Sequence, residues 1–235
     1  MSNATVVLVH GAAAGSWTWH LVVDGLLARG IDTRAVDLPS CSAPGPTVDV
    51  HDDARGVRSL LDEIGGPVIL VGNSYGGAVI SEAAVDHPGV KRLVYIAALM
   101  PQAGVRIWDI LSELQSGLTD GVRLLEDGRL AFEPDIDLEA SFQQSSAGER
   151  SFIRPHLGRP MSMGADPDIR LPAVAWEKIP STYVVCADDL ALPPDAQREW
   201  GKKRATEVIE WPTDHSPQHS RPDIVVELLE RLARE

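Results

Sequence analysis

"PVILVGNSYGGAVI" occupies residues 67–80, and its reading decides the fold. Val68 to Val71 is a short, unbroken apolar run, as expected of a strand buried on both faces. Helical spacing takes over from Tyr75 to Asp86. Between the two, Gly72-Asn73-Ser74-Tyr75-Gly76 fits G-x-S-x-G. A chain turning sharply from strand into helix holds such a serine at positive φ, and side chains two places before and after it would collide. Both places are glycine, and Gly77 and Ala78 let the helix pack close to the strand. The turn lifts Ser74 Oγ above the carboxyl ends of the strands, where open parallel sheets bind ligands. The helix N-terminus beneath it favours negative charge.

The same alternation extends in both directions. Strands are predicted at Thr5–Val9, Thr33–Val36, Arg92–Ala97, Tyr183–Cys186 and Glu207–Glu210. Helices are predicted at Trp17–Arg29, His51–Ile64, Pro194–Lys203 and Pro222–Ala233. With Val68–Val71 this makes six strands, and the pattern predicts an α/β chain with a parallel sheet covered by helices on both faces. The stretch from 101 to 180 breaks the alternation. It is rich in Pro, Gly, Ser and Asp, with short helical pieces at Arg106–Leu114 and Leu138–Ser145. It is too long for a plain connection and reads as a cap inserted into a core formed by 1–100 and 181–235.

Composition narrows the function. A formal net charge of −13 over 235 residues argues against nucleic acid or an anionic membrane as partner. Two cysteines, Cys41 and Cys186, do not make a disulfide framework. Val6 to Val9 is too short for a signal core or a membrane span and has no basic start. The expectation is a cytoplasmic protein acting on a small molecule, alone or as a homodimer, without metal or cofactor.

A serine hydroxyl needs a base within hydrogen-bond reach, and the base needs an acid to fix its tautomer. Among seven histidines, His215 is best placed, in a loop just past the strand ending near Trp211 and before the last helix. His219 is the runner-up. His10 is read as a brace of its own loop, and His20, His51 and His87 as surface groups. The acid is Asp188 or Asp189, directly after the strand Tyr183–Cys186. The order serine, aspartate, histidine is that of an α/β-hydrolase. The oxyanion donors are then the N–H of Tyr75, next to the nucleophile, and that of Ala12, in the small-residue loop after the first strand. Trp108, Phe132, Phe142, Phe152, His156 and Met161 are candidate substrate contacts in the cap, and Trp17 and Trp19 are assigned to packing of the first helix.

Together "VVLVHGAAAGSWTW", "GPVILVGNSYGGAVISEAA", "VKRLVYIAALMPQAG", "YVVCADDLALPP" and "DHSPQHSRPD" resemble the α/β-hydrolase superfamily. Within it they resemble the small esterase branch that includes plant methyl esterases and hydroxynitrile lyases. The resemblance maps the acid onto Asp189, four residues before Pro193, and the base onto His215. Asn73 stands where that branch usually has histidine, and Ala14 where a second histidine is common. The lyases carry a lysine after the catalytic histidine and a threonine in the first loop, where this chain has Ser216 and Gly11. The resemblance therefore implies a serine hydrolase of a neutral carboxylic ester or lactone, working through an acyl-enzyme. A C–C bond hydrolase or lyase on the same triad, or a non-catalytic ligand-binding member of the fold, is the alternative.

Overall fold

The computed structural model describes residues 4–114, 117–166 and 168–235. Its strands are β1 (Thr5–Val9), β2 (Thr33–Ala35), β3 (Val68–Asn73), β4 (Val90–Ile96), β5 (Val122–Leu124), β6 (Leu130–Phe132), β7 (Ser181–Cys186) and β8 (Glu207–Trp211). Its α-helices are α1 (His20–Leu27), α2 (Val50–Ile64), α3 (Gly76–Ala83), α4 (Ile107–Glu113), α5 (Pro134–Ser141), α6 (Ala147–Ile153), α7 (Pro194–Arg204), α8 (Pro217–Ser220) and α9 (Pro222–Arg234). Six strands form one sheet in the order β2-β1-β3-β4-β7-β8, and every neighbouring pair is parallel. This is the parallel sheet the strand pattern predicts, in the α/β-hydrolase architecture that the resemblance implies.

Alternate strand residues feed two cores. Val7, Leu70, Tyr95 and Val185 pack with α2 and α3 on one face. Leu8, Val71, Ile96 and Val184 pack with α1 and α9 on the other. Burial on both faces is why these strands read as continuous apolar runs. The α2 helix starts at a capping box, in which the Asp49 carboxylate accepts from His51 and Asp52 N–H and the Asp52 carboxylate accepts from Asp49 N–H. It stops at Gly65, whose φ of 61° is left-handed.

Among the described residues, the 101–180 segment supplies no strand to the main sheet. It holds α4, α5, α6 and the antiparallel hairpin β5–β6. The sequence places a helix over Leu138–Ser145, whereas the structure has α5 at Pro134–Ser141 followed by a separate α6. Pro134 explains the earlier start, because its fixed φ suits the first helical turn. Ser146 explains the second helix, because its hydroxyl accepts from Glu149 N–H at 3.2 Å as an N-cap.

Candidate active site

Parallel strands bring all their outgoing loops to one edge. β1 lies beside β3, and Val9 pairs with Gly72, so the loop after β1 and the turn after β3 leave the sheet side by side. The chain runs outward to β2 on one side of β1 and to β3 on the other, which makes this gap the switch point of the sheet. Likewise Cys186 pairs with Trp211, so the loops bearing Asp189 and His215 leave together.

The turn after β3 has the strained geometry the sequence predicts. Ser74 has φ of +54°. A Cβ at Gly72 would stand 2.6 Å from the Gly76 carbonyl oxygen, and one at Gly76 would stand 2.6 Å from the Val9 carbonyl oxygen. No side chain fits at either place. Gly11 keeps the space in front of Ser74 open, since a Cβ there would lie 3.0 Å from Ser74 Cβ.

Asp189 and His215 meet. Asp189 Oδ2 lies 2.7 Å from His215 Nδ1, and both side chains are buried. The carboxylate is saturated with donors: Oδ1 accepts from the Ala191 and Leu192 N–H groups, each at 2.8 Å, and Oδ2 also accepts from Gln197 Nε2 at 2.7 Å. Burial by itself lowers the affinity of His215 for a proton, but the charge and hydrogen bond of Asp189, with Asp137 and Asp214, outweigh it and leave the pKa above its ordinary 6.5. Asp188, the other candidate acid, is exposed, and its carboxylate accepts from Gln144 Nε2 at 2.8 Å.

Ser74 and His215 line the same two cavities. Ser74 Oγ forms no hydrogen bond among the described residues. Neither the Ala12 nor the Tyr75 N–H is hydrogen-bonded to protein among the described residues, so both donors stay available beside Ser74. The larger cavity, about 380 Å³, is walled by apolar side chains including Leu99, Trp108, Leu130, Phe132 and Met163. The smaller, about 60 Å³, adjoins it and adds Phe142 with the polar side chains of Asp137, Ser141 and Gln218.

Of the candidate contacts, Trp108 and Phe132 therefore line the large cavity and Phe142 the small one. Met161 lies fully buried behind the wall, where its Sδ accepts from Ala13 N–H at 3.2 Å and its near neighbour Met163 takes the lining position. Phe152 and His156 are among the lining residues of neither cavity. They pack around Trp17, whose ring stacks on His156 with centroids 4.6 Å apart. Trp19 is buried in the sheet–helix core, but Trp17 faces the 101–180 segment instead.

The other histidines have separate posts. His10 Nε2 accepts from Leu38 N–H at 3.1 Å, which leaves the proton on Nδ1, 2.7 Å from the Gly11 carbonyl. Burial pushes its pKa below the ordinary value, and the neutral ring braces the loop after β1. His87 is buried rather than superficial, 3.2 Å from an Asp62 carboxylate oxygen. His219 Nδ1 lies 3.0 Å from Glu149 Oε2, and burial lowers its pKa to about 4. With His20 these two place ligating atoms within 4.8 Å of one another, the one grouping with metal-ligand spacing among the described residues. It lines neither cavity.

Several supporting groups escaped the sequence reading. Gln197 holds Asp189 while its Oε1 accepts from Cys186 N–H at 2.9 Å. Asp53, buried on α2, accepts from Tyr75 Oη at 2.9 Å and from Ser40 Oγ at 2.6 Å. Asn73 Nδ2 donates to the carbonyls of Ile96 and His215, at 2.9 and 3.2 Å. Each is a polar residue inside a helix or strand, and a helix interior with a buried Asp or Gln was the one available signal.

The whole arrangement matches the alpha/beta hydrolase family over residues 6–228. The chain belongs to that family. It is 28% identical to the alpha/beta hydrolase nvfD of Aspergillus novofumigatus (strain IBT 16806), covering 100% of this chain and 98% of the relative. It is 28% identical to methyl jasmonate esterase 1 of Vitis vinifera, covering 92% and 91%. Its backbone superposes on a crystallised pyrethroid hydrolase from Sphingobium faniae JZ-2 with a TM-score of 0.83 and 26% identity, over 98% of this chain and 97% of the other. The chain is an esterase-type α/β hydrolase. Among the described residues no helix is long and apolar enough to cross a membrane.

Proposed function

We propose that the protein hydrolyses a neutral carboxylic ester or lactone through Ser74, His215 and Asp189 and an acyl-enzyme on Ser74. The observation that carries this is the buried 2.7 Å contact between Asp189 and His215, in a ring that shares its cavity with Ser74. Ser74 Oγ attacks the carbonyl carbon while His215 Nε2 takes its proton. The oxyanion is held by the N–H groups of Ala12 and Tyr75. His215 then protonates the leaving alkoxide, and water attacks the acyl-enzyme with the same base. Asp189 holds the ring with its Nδ1 proton inward, leaving Nε2 free to accept.

Residues 101–180 act as the cap over the core formed by 1–100 and 181–235. The apolar walls of the 380 Å³ cavity, with Trp108 and Phe132 as contacts, favour an uncharged acyl group. Similarity to a methyl jasmonate esterase and a pyrethroid hydrolase supports an ester. Gly11 and Ser216, where lyases of the branch have threonine and lysine, support hydrolysis over cyanide release. The acidic balance and the two unpaired cysteines suit a cytoplasmic setting.

A fluorophosphonate probe tests the reading. Stoichiometric labelling of the native protein, lost in Ser74→Ala, is expected. An unlabelled native protein that also fails to hydrolyse p-nitrophenyl esters refutes it.

A further inference from the structure

The two cavities that meet at Ser74 differ in kind. The large one is almost wholly apolar and takes up about 380 Å³; the small one is about 60 Å³ and carries Asp137, Ser141 and Gln218. On the same measure a water needs roughly 10–15 Å³, so the niche has room for a few waters and is far smaller than the apolar cavity. Its wall is chemically incomplete. Gln218 is 1% exposed; its Nε2 donates to Asn73 Oδ1 at 3.3 Å, while its Oε1 is buried without a hydrogen-bond partner among the described residues. A buried acceptor of that kind calls for a donor, and Gln218 is one of the residues that line the niche. Across it, Asp137 on α5 accepts from Ser141 Oγ at 2.7 Å through Oδ1.

We propose that this niche holds the water that hydrolyses the acyl-enzyme, with Gln218 and Asp137 as its positioning residues. The proposal rests on the acyl-transfer reading above. The acyl group occupies the apolar cavity, and the water approaches the acyl carbon from the niche, which Ser74 and His215 also line. One hydrogen of the water points at His215 Nε2 and the other at Gln218 Oε1 or the Asp137 carboxylate. As the water oxygen bonds to the acyl carbon, its proton passes to His215. When the tetrahedral intermediate collapses, the bond from the carbon to Ser74 Oγ breaks, and His215 returns the proton to Ser74. No oxidant or other co-reactant is needed.

The test separates the two half-reactions. Stopped-flow hydrolysis of p-nitrophenyl butyrate gives acylation from the burst and deacylation from the steady state. In Gln218→Leu and Asp137→Ala the burst rate is expected to stay within about threefold of native while the steady-state rate falls about 10–100-fold, as for a misplaced reactant. The acyl-enzyme should accumulate by mass spectrometry, and Asp137→Asn, which keeps an acceptor, should recover most of the loss. Ser141→Val narrows the niche without removing either group and supplies a second variant should the first two fold poorly. Burst and steady state falling together, or all variants turning over as native, would overturn the niche assignment while leaving the triad intact. A native protein that forms no acyl-enzyme on Ser74 would instead overturn the acyl-transfer reading and this proposal with it.

Discussion

Replacing Asp189 by asparagine is the sharpest probe of the site. The change keeps the shape of the side chain and removes its charge. Every direction around the carboxylate is already occupied by a donor: two backbone N–H groups at Oδ1, and Gln197 Nε2 with His215 Nδ1 at Oδ2. The new NH2 group must therefore face donors whichever way it turns. Gln197 cannot relieve this by flipping, because its Oε1 accepts from Cys186 N–H and its Nε2 also donates to the Leu192 carbonyl. The way out is at His215, which can accept through Nδ1 and carry its proton on Nε2. That tautomer has no lone pair to offer Ser74. Loss of the corresponding charge in a serine triad costs about 10⁴ in kcat, or ~5 kcal/mol of barrier. The buried mismatch should destabilise the fold by about 1–3 kcal/mol, lowering the melting temperature by about 2–12 °C in a chain of this size. The assay is kcat/KM on a p-nitrophenyl ester beside a thermal melt, with Asp188→Asn as the paired control. A folded Asp189→Asn protein within tenfold of native activity, or an Asp188→Asn protein with the larger loss, would refute the assignment of the acid.

Gly72→Ala should abolish activity and destabilise the protein by about 1–3 kcal/mol or more, because its Cβ would meet the Gly76 and Gly77 backbone at 2.6–2.8 Å; Gly45→Ala, with nothing within 4 Å, should melt like the native chain. The pH dependence follows from His215. The proposed base works only when unprotonated, so kcat/KM on a neutral ester should rise with pH through the His215 pKa and be lost below it. Because its acidic neighbours raise that pKa, the midpoint of the acid limb should lie above 6.5, and Asp214→Asn should move it to lower pH; a limb that stays in place excludes Asp214 as a contributor.

The sheet was legible in the sequence because its central strands are buried on both faces. Runs such as Val68 to Val71 have no polar residue to interrupt them, and glycine punctuates their ends. Ser74 was legible for a steric reason, since only the two flanking glycines permit its φ of +54°. The choice between Asp188 and Asp189 was not. Both follow β7 directly, and which one turns inward is set by the turn that bonds Asp189 N–H to the Cys186 carbonyl and Asp188 N–H to the Thr213 carbonyl. The family resemblance had to supply that preference. In the 101–180 segment periodicity had little to work on. Strands of three residues, β5 and β6, are below the length at which alternation can be seen. An aromatic such as Phe152 is equally apt to line a cavity or to pack on another ring, and here it packs on Trp17 and His20.

Assembly of the site poses a distance problem that the sheet alone does not solve. Ser74 follows β3, whereas His215 follows β8, with β4 and β7 lying between them. At about 4.8 Å per strand the two loops leave the sheet roughly 14 Å apart. The loop after β8 must therefore fold back across the ends of two strands to bring its ring to the serine. Asn73 is the group that spans the gap. Its Nδ2 donates both to Ile96, the last residue of β4, and to the backbone carbonyl of His215, while its Oδ1 accepts from Gln218 on α8. One carboxamide thus ties the residue before Ser74 to the backbone of His215 and to the helix behind it. A histidine at this place can supply a ring donor, and asparagine supplies two donors and an acceptor. The identity of residue 73 bears on where His215 sits, which is why a departure next to Ser74 is compatible with an intact pair of Asp189 and His215.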